Sequence, residues 1–125
     1  MDKKLWDQIL ERLVEAGMNM LVIDLGEGVK YKSYPELAVK GTWSTKKLRK
    51  ELKAIRKMGL EPIPKLNFST AHDAWIGPYS RCDSTKPYYK VCRDLIKEAV
   101  DIFDGPRFFH LGMDGETAEH QRHCA

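Results

Sequence analysis

Apolar residues recur at helical spacing in three segments of the chain, within residues 5–14, 48–58 and 88–103. This spacing predicts three amphipathic helices, each with one apolar side. Residues suited to start, cap or stop a helix flank these segments: Asp2, Gly17, Ser44 or Thr45, Gly59, Pro87 and the turn Asp104-Gly105-Pro106. Either Ser44 or Thr45 can cap the second helix.

Three short apolar runs alternate with these helices, and each is short enough to be a strand. They span residues 18–25, 60–68 and 107–112. The first has almost no polar interruption, which is typical of a strand buried on both faces. The second contains Pro62 and Pro64, which lack the amide hydrogens that a ladder needs and therefore indicate an edge or irregular strand.

The resulting order, α-β-α-β-α-β, implies parallel strands joined by helical crossovers. Long loops are predicted after the strands, at residues 26–43 and 69–86, and the start of a fourth helix at 117–125. Long loops on the C-terminal side of the strands are typical of (β/α)-barrel enzymes, but a barrel needs about eight strands to close. We therefore predict an α/β fold that forms a partial (β/α)8 TIM barrel segment. It is one incomplete unit over residues 1–125, with about three strand-helix units.

Composition narrows the classes of partner. The chain is 42% hydrophobic and 31% charged with a net charge of +3, an ordinary globular mixture that is far from the charge of a dedicated nucleic-acid binder. The second helix has a basic outer face. We interpret this face as a solvated surface, because Glu51 interrupts it and no aromatic residues interleave.

The cysteines and the apolar runs bear on the compartment. Cys82, Cys92 and Cys124 form no C-x-x-C pair, which favours reduced thiols. The sequence has no signal-peptide pattern, and no apolar run approaches the ~18 residues that a membrane span requires. We therefore expect no nucleic-acid partner, no membrane partner and, by default, a cytoplasmic location.

Ionisable and aromatic side chains collect where the predicted strands end. Parallel α/β folds place their chemistry at this edge of the sheet. In the second long loop, the Trp75 ring would either offer its face to a ligand or cover apolar surface. The candidate site residues are Asp24, His72, Asp73, Trp75, His110, Asp114 and Glu116.

Most of these residues also have a purely structural explanation. Asp114 and Glu116 are suited to open a helix, and His110 is suited to a core position. His72 and Asp73 form a pair that surface loops contain by chance. A rival metal site would use Asp114, Glu116, His120, His123 and Cys124. Their spacing matches no known zinc site, so we expect no metal and no cofactor.

Three stretches together resemble the catalytic barrel of family-20 glycoside hydrolases, the β-N-acetylhexosaminidase type. Residues 17–24 with Tyr-Pro-Glu-Leu at 34–37 resemble the second barrel strand and its loop. Gly-Leu-Glu-Pro-Ile-Pro-Lys-Leu-Asn at 59–67, followed by His72, resembles the third strand, and His-Leu-Gly-Met-Asp at 110–114 resembles the fourth. The resemblance runs from about residue 5 to residue 120.

The resemblance implies the roles of the two carboxylates. In that family an Asp orients the acetamido group of the substrate, which acts as the nucleophile, and the next residue, a Glu, is the acid. Asp114 matches the Asp, but Gly115 stands at the acid position and Glu116 follows one residue later. A displacement of one residue moves a carboxylate by about 3.5 Å. Lys65 also departs from the family, which often has an acidic residue there.

The resemblance implies a fragment of a glycoside hydrolase that acts on β-linked N-acetyl amino sugars by an Asp/Glu substrate-assisted mechanism and is inactive on its own. Asp114 and Glu116 would be catalytic. The carbohydrate substrate would be bound by Asp24, His72, Asp73, Trp75 and His110. The alternative is a non-catalytic, truncated or degenerate barrel segment that self-associates through open sheet edges.

Overall fold

The three predicted helices are present in the computed structural model, which describes residues 2–69, 72–80 and 85–113. They are α1 (Lys3–Glu15), α2 (Thr45–Lys57) and α3 (Lys86–Ile102). Each helix is amphipathic because its apolar residues recur on one side. The fourth helix expected at 117–125 lies outside the described residues.

Side-chain caps fix where the first two helices begin. The Asp2 carboxylate accepts a hydrogen bond from the Lys4 amide at 2.9 Å and so caps α1, as predicted. Of the two candidate caps of α2, Ser44 is the one observed: its hydroxyl accepts a hydrogen bond from the Lys47 amide at 3.1 Å. Thr45 is the first residue of the helix itself.

Four short strands form two parallel pairs. They are β1 (Met20–Asp24), β2 (Val29–Lys30), β3 (Trp43–Ser44) and β4 (Glu61–Lys65). β1 pairs with β4, and β2 with β3. β2 and the first residue of β3 lie within the segment 26–43 that was predicted to be a loop. A strand of two residues is too short to be recognised in the sequence by alternating apolar and polar residues.

The predicted third strand over 107–112 is wrong for most of its length. Its one paired residue in the structure is His110, which forms a parallel bridge with Lys65. The His110 amide donates to the Pro64 carbonyl at 2.9 Å, and the Leu66 amide donates to the His110 carbonyl at 3.1 Å. The next bond of this ladder would need an amide hydrogen on Pro64, which proline lacks, so regular pairing does not extend toward residue 107.

The pairing of β4 agrees with the prediction of an edge or irregular strand. The Glu61 amide donates to the Asn19 carbonyl at 2.9 Å on the β1 side, whereas the Pro64 carbonyl accepts on the His110 side. Within the described residues, β4 pairs regularly with β1 and has one isolated bridge on its other side. Its two prolines are tolerated because their nitrogens face the neighbour with which pairing is limited to one bridge.

All three helices pack on one face of the β1–β4 sheet. The core there combines apolar side chains from the sheet and the helices: Leu10, Ile23, Leu25, Leu48, Leu52, Ile55, Leu60, Leu66, Leu95, Ala99 and Phe103. On the opposite face, Met20, Val22 and Phe108 are exposed. The prediction that the first strand is buried on both faces is therefore wrong, since β1 buries only the side chains that face the helices.

The architecture is thus α/β with short parallel strands, and the described residues form no closed barrel. Within those residues, no helix combines the length and the apolar character needed to cross a membrane. The helices on one face and the strand ends at one edge define where a site can form.

Candidate functional site

Three ionisable side chains form a row across the C-terminal ends of the parallel strands. Asp24 is the register partner of Lys65, and Lys65 is in turn bridged to His110. Register partners in a parallel sheet project from the same face, so the three side chains lie next to one another on the face opposite the helices. We call Asp24, Lys65 and His110 the polar row.

An ion pair joins the first two members of the polar row. Lys65 Nζ lies 3.3 Å from Asp24 Oδ2. The Lys65 side chain is 21% exposed and that of Asp24 is 54% exposed. Lys65 is therefore the inner partner, and Asp24 extends toward solvent.

His110 is exposed, so it is not the core histidine that one interpretation of the sequence offered. The Gly112 amide donates to His110 Nδ1 at 2.9 Å. An imidazole nitrogen that accepts a hydrogen bond carries no proton, so the neutral ring is protonated on Nε2. His110 therefore offers a donor at Nε2.

A cleft of about 1080 Å³ opens beside Asp24, between the turn after β1 and the loops that follow β2 and β4. Its polar and aromatic lining residues are Asp24, Glu27, Glu36, Lys40, Thr42, Asn67, His72 and Trp75. Three carboxylates against one ammonium group make this lining acidic. The remaining lining is small or apolar, including Leu37, Val39 and Pro78.

Trp75 is held in the cleft wall by its indole nitrogen, which donates to the Asn67 carbonyl at 2.7 Å. Its ring packs near Tyr31 and Phe68, with ring centroids 6.3 and 6.1 Å away. The Tyr31 hydroxyl donates to the Gly26 carbonyl at 2.9 Å and so ties the turn after β1 to this aromatic group. Burial raises the pKa of Tyr31 far above its ordinary value, so the hydroxyl stays protonated and remains a donor.

Helix α3 anchors the loop that forms the far side of the cleft. The Glu98 carboxylate accepts from the backbone amide and the hydroxyl of Ser33. The Tyr34 hydroxyl donates to Asp94 at 2.7 Å, and Lys90 also contacts Asp94 at 2.6 Å. Hydrogen bonds from Lys90 and Tyr34 hold the pKa of Asp94 below its ordinary value, so the anchor is charged at neutral pH.

A tyrosine fixes one of the carboxylates of the cleft. The Tyr79 hydroxyl donates to Glu36 Oε1 at 3.0 Å. This hydrogen bond raises the pKa of Tyr79, because losing the proton would place two negative charges side by side.

The predicted site residues are brought together only in part. Asp24, His72 and Trp75 line the cleft, and His110 lies in the polar row two strands from Asp24. Asp73 does not line the cleft: it is buried, and its carbonyl accepts from Ile76 at the start of the short 3₁₀ helix Ala74–Tyr79. Asp114 and Glu116 lie outside the described residues.

The alternative metal site also lies outside the part of the chain that the structure describes. Its residues are Asp114, Glu116, His120, His123 and Cys124. Among residues 2–69, 72–80 and 85–113, no group of three or more His, Cys, Asp or Glu side chains is arranged to hold a metal ion.

Two site residues were missed as members of the site. Lys65 was noted only as a departure from a family pattern, yet it occupies the centre of the polar row. Asn67 lines the cleft and positions Trp75 through its carbonyl. The signal for both was their place at the end of an apolar run, the same signal that singled out Asp24.

No protein-family model matches the chain, and no curated protein is significantly similar to it. The cleft and the polar row are therefore the features of the molecule that bear on its function.

Proposed function

We propose that the chain is a segment of a glycoside hydrolase that acts on β-linked N-acetyl amino sugars and is inactive on its own. The observation that carries this proposal is the polar row beside an aromatic-walled cleft, at the C-terminal ends of parallel strands. Sugar sites need acceptors and donors for hydroxyl groups and an aromatic surface for the apolar side of the ring. Asp24, His110 and Trp75 are of these three kinds.

In this proposal the described residues bind the sugar and the segment that follows Met113 carries the reaction. Asp24 accepts a hydrogen bond from a sugar hydroxyl, and His110 Nε2 donates one. Asp114 orients the acetamido group of the substrate, whose oxygen attacks the anomeric carbon, and Glu116 protonates the leaving oxygen. Because Glu116 is displaced by one residue from the expected acid position, this role requires its carboxyl group to come within about 3.2 Å of that oxygen.

The same proposal includes the fold: a segment of a (β/α)8 TIM barrel. Helices on one face of a short parallel sheet, with polar side chains at the C-terminal strand ends of the other face, suit the inner wall of a (β/α)8 barrel. The exposed Met20, Val22 and Phe108 would then face the barrel interior.

Sugar binding is the first test. The chain is titrated with the β-linked disaccharide of N-acetylglucosamine, and amide and indole signals are followed by NMR. We expect shifts at Asp24, His72 and the Trp75 indole, and smaller shifts with cellobiose, which lacks the acetamido groups. Asp24→Asn should weaken binding at least fivefold, whereas Glu15→Gln at the end of α1 should leave it unchanged. Absence of saturable shifts with either sugar would contradict the proposal.

Turnover is the second test. We expect the chain alone not to hydrolyse an aryl β-N-acetylglucosaminide. Turnover that disappears in Asp114→Ala would show that this chain carries out the substrate-assisted reaction by itself, and the proposed inactivity would be wrong.

A second function is favoured by one observation, the exposed apolar face of the sheet. Met20, Val22 and Phe108 lie on it, and among the described residues β1 pairs with β4 alone. Contiguous apolar surface beside a free strand edge promotes association. The alternative is therefore a non-catalytic barrel segment that self-associates with a second copy through this face.

A further inference from the structure

Lys65 occupies the centre of the polar row, between a carboxylate that reaches the cleft and a histidine on the opposite side. We propose that Lys65 is a positioning residue, which holds the Asp24 carboxylate in the orientation that binds the sugar. This inference rests on the proposed function, because it assigns Asp24 a sugar hydroxyl as its ligand.

The two partners of the ion pair differ in solvent exposure and in whether they line the cleft. Asp24 lines the cleft, and its side chain is 54% exposed. Lys65 is not part of the cleft lining, and its side chain is 21% exposed. Lys65 therefore contacts Asp24 from behind, and the carboxylate is the group that meets a ligand.

The two oxygens of Asp24 have different surroundings. Oδ2 lies 3.3 Å from Lys65 Nζ. Oδ1 lies 3.9 Å from the place where a side chain on Gly26 would begin. Gly26 lines the cleft, so this second oxygen lies beside the cleft wall.

An exposed aspartate without such a partner samples several rotamers and must lose that freedom when it binds. An ion pair at the surface adds little to the stability of the fold, but it selects one orientation before the ligand arrives. Preorganisation of this kind increases affinity because the ordering cost is not incurred on binding.

The test combines four variants in the same disaccharide titration. Lys65→Met removes the ammonium group and keeps an unbranched stem, and we expect the Kd to rise about tenfold, close to the effect of Asp24→Asn. Lys65→Arg should restore the affinity to within about threefold, because it can contact the same oxygen. The double variant Asp24→Asn/Lys65→Met should bind no more weakly than Asp24→Asn alone, because the two residues act as one unit.

The controls separate positioning from folding and from the proposed function. Lys65→Gln is a second neutral variant, and only variants whose amide spectra match the folded wild type are compared. Equal affinity of the folded Lys65→Met or Lys65→Gln variant and the wild type, with Asp24→Asn impaired, would overturn the role of Lys65 and leave the proposed function standing. A wild type that binds no sugar would overturn both.

Discussion

At the scale of single residues, Gly112 shows how a close backbone approach dictates residue type. It has a φ of +60°, and a Cβ there would lie 2.7 Å from both the Asn67 Cα and the Leu66 carbonyl oxygen. The segment that carries His110 can approach the end of β4 only because this position has no side chain.

We predict that Gly112→Ala destabilises the protein by about 1–3 kcal/mol, because it combines a left-handed backbone with a backbone clash. Urea unfolding measures the change. Gly28→Ala is the matched control, since Gly28 has no atom within 4 Å of its would-be Cβ and no positive φ. Equal effects of the two substitutions would contradict the packing seen at Gly112.

The ion pair between Arg107 and Glu61 makes the stability of the fold depend on pH. Arg107 donates two hydrogen bonds to the Glu61 carboxylate, at 3.0 and 2.7 Å, and these hold the pKa of Glu61 below its ordinary value of 4.5. A carboxylate whose pKa is lower in the folded state stabilises that state above its unfolded pKa. This contribution is lost as the pH falls through the lower, folded value.

We therefore expect Arg107→Gln to lower the urea midpoint at pH 7 and to have a smaller effect at pH 3. Lys53→Gln, on the outer face of α2, serves as the control for removal of one positive charge. If the two variants show the same pH dependence, the Glu61–Arg107 pair makes no specific contribution.

At the scale of elements, the start of α2 was open in the sequence and is decided in the structure. Ser44 and Thr45 are both good capping residues, but only one can precede the first helical residue. The Ser44 hydroxyl accepts from the Lys47 amide at 3.1 Å. Thr45 is already helical.

We predict that Ser44→Ala costs about 1 kcal/mol of unfolding free energy, the usual effect of losing a side-chain cap. Thr45→Ala should cost less, because alanine is the better helix former at a helical position. Chemical unfolding of both variants checks this order. A larger loss of unfolding free energy for Thr45→Ala than for Ser44→Ala would show that Ser44 is not the cap.

In the molecule as a whole, one face of the β1–β4 sheet is not covered by the helices. The helices cover one face, while Met20, Val22 and Phe108 remain exposed on the other. Such apolar surface is normally covered by another part of a protein or by a partner.

We expect the chain to form oligomers at micromolar concentration, measured by light scattering after gel filtration. Val22→Lys should shift the population toward monomer because it places a charge in the middle of the apolar face. Val100→Lys is the control, since Val100 is an exposed valine on α3. A clean wild-type monomer would show that the open face does not mediate association.

Local sequence patterns were sufficient to predict the helices, their order and most of the candidate residues. Helix periodicity and capping are local, so Asp2, the stripe of α2 and the turn after α3 could be recognised without knowledge of the fold. The expectation of parallel strands followed from the helix-strand alternation. Asp24, His72 and Trp75 were found because they follow apolar runs, and the structure places all three in one cleft.

Features that depend on strand register and side-chain packing could be seen only in the folded chain. No local pattern distinguishes Asp73 and Trp43 from their exposed neighbours, yet both are buried, and Trp43 packs edge-on against Trp6 at 5.5 Å between ring centroids. The length of the third strand was limited by a proline on the strand beside it. The polar row exists because two strand pairings align residues 24, 65 and 110, which are far apart in the chain. No local pattern encodes that alignment, because register is set by contacts between segments distant in sequence.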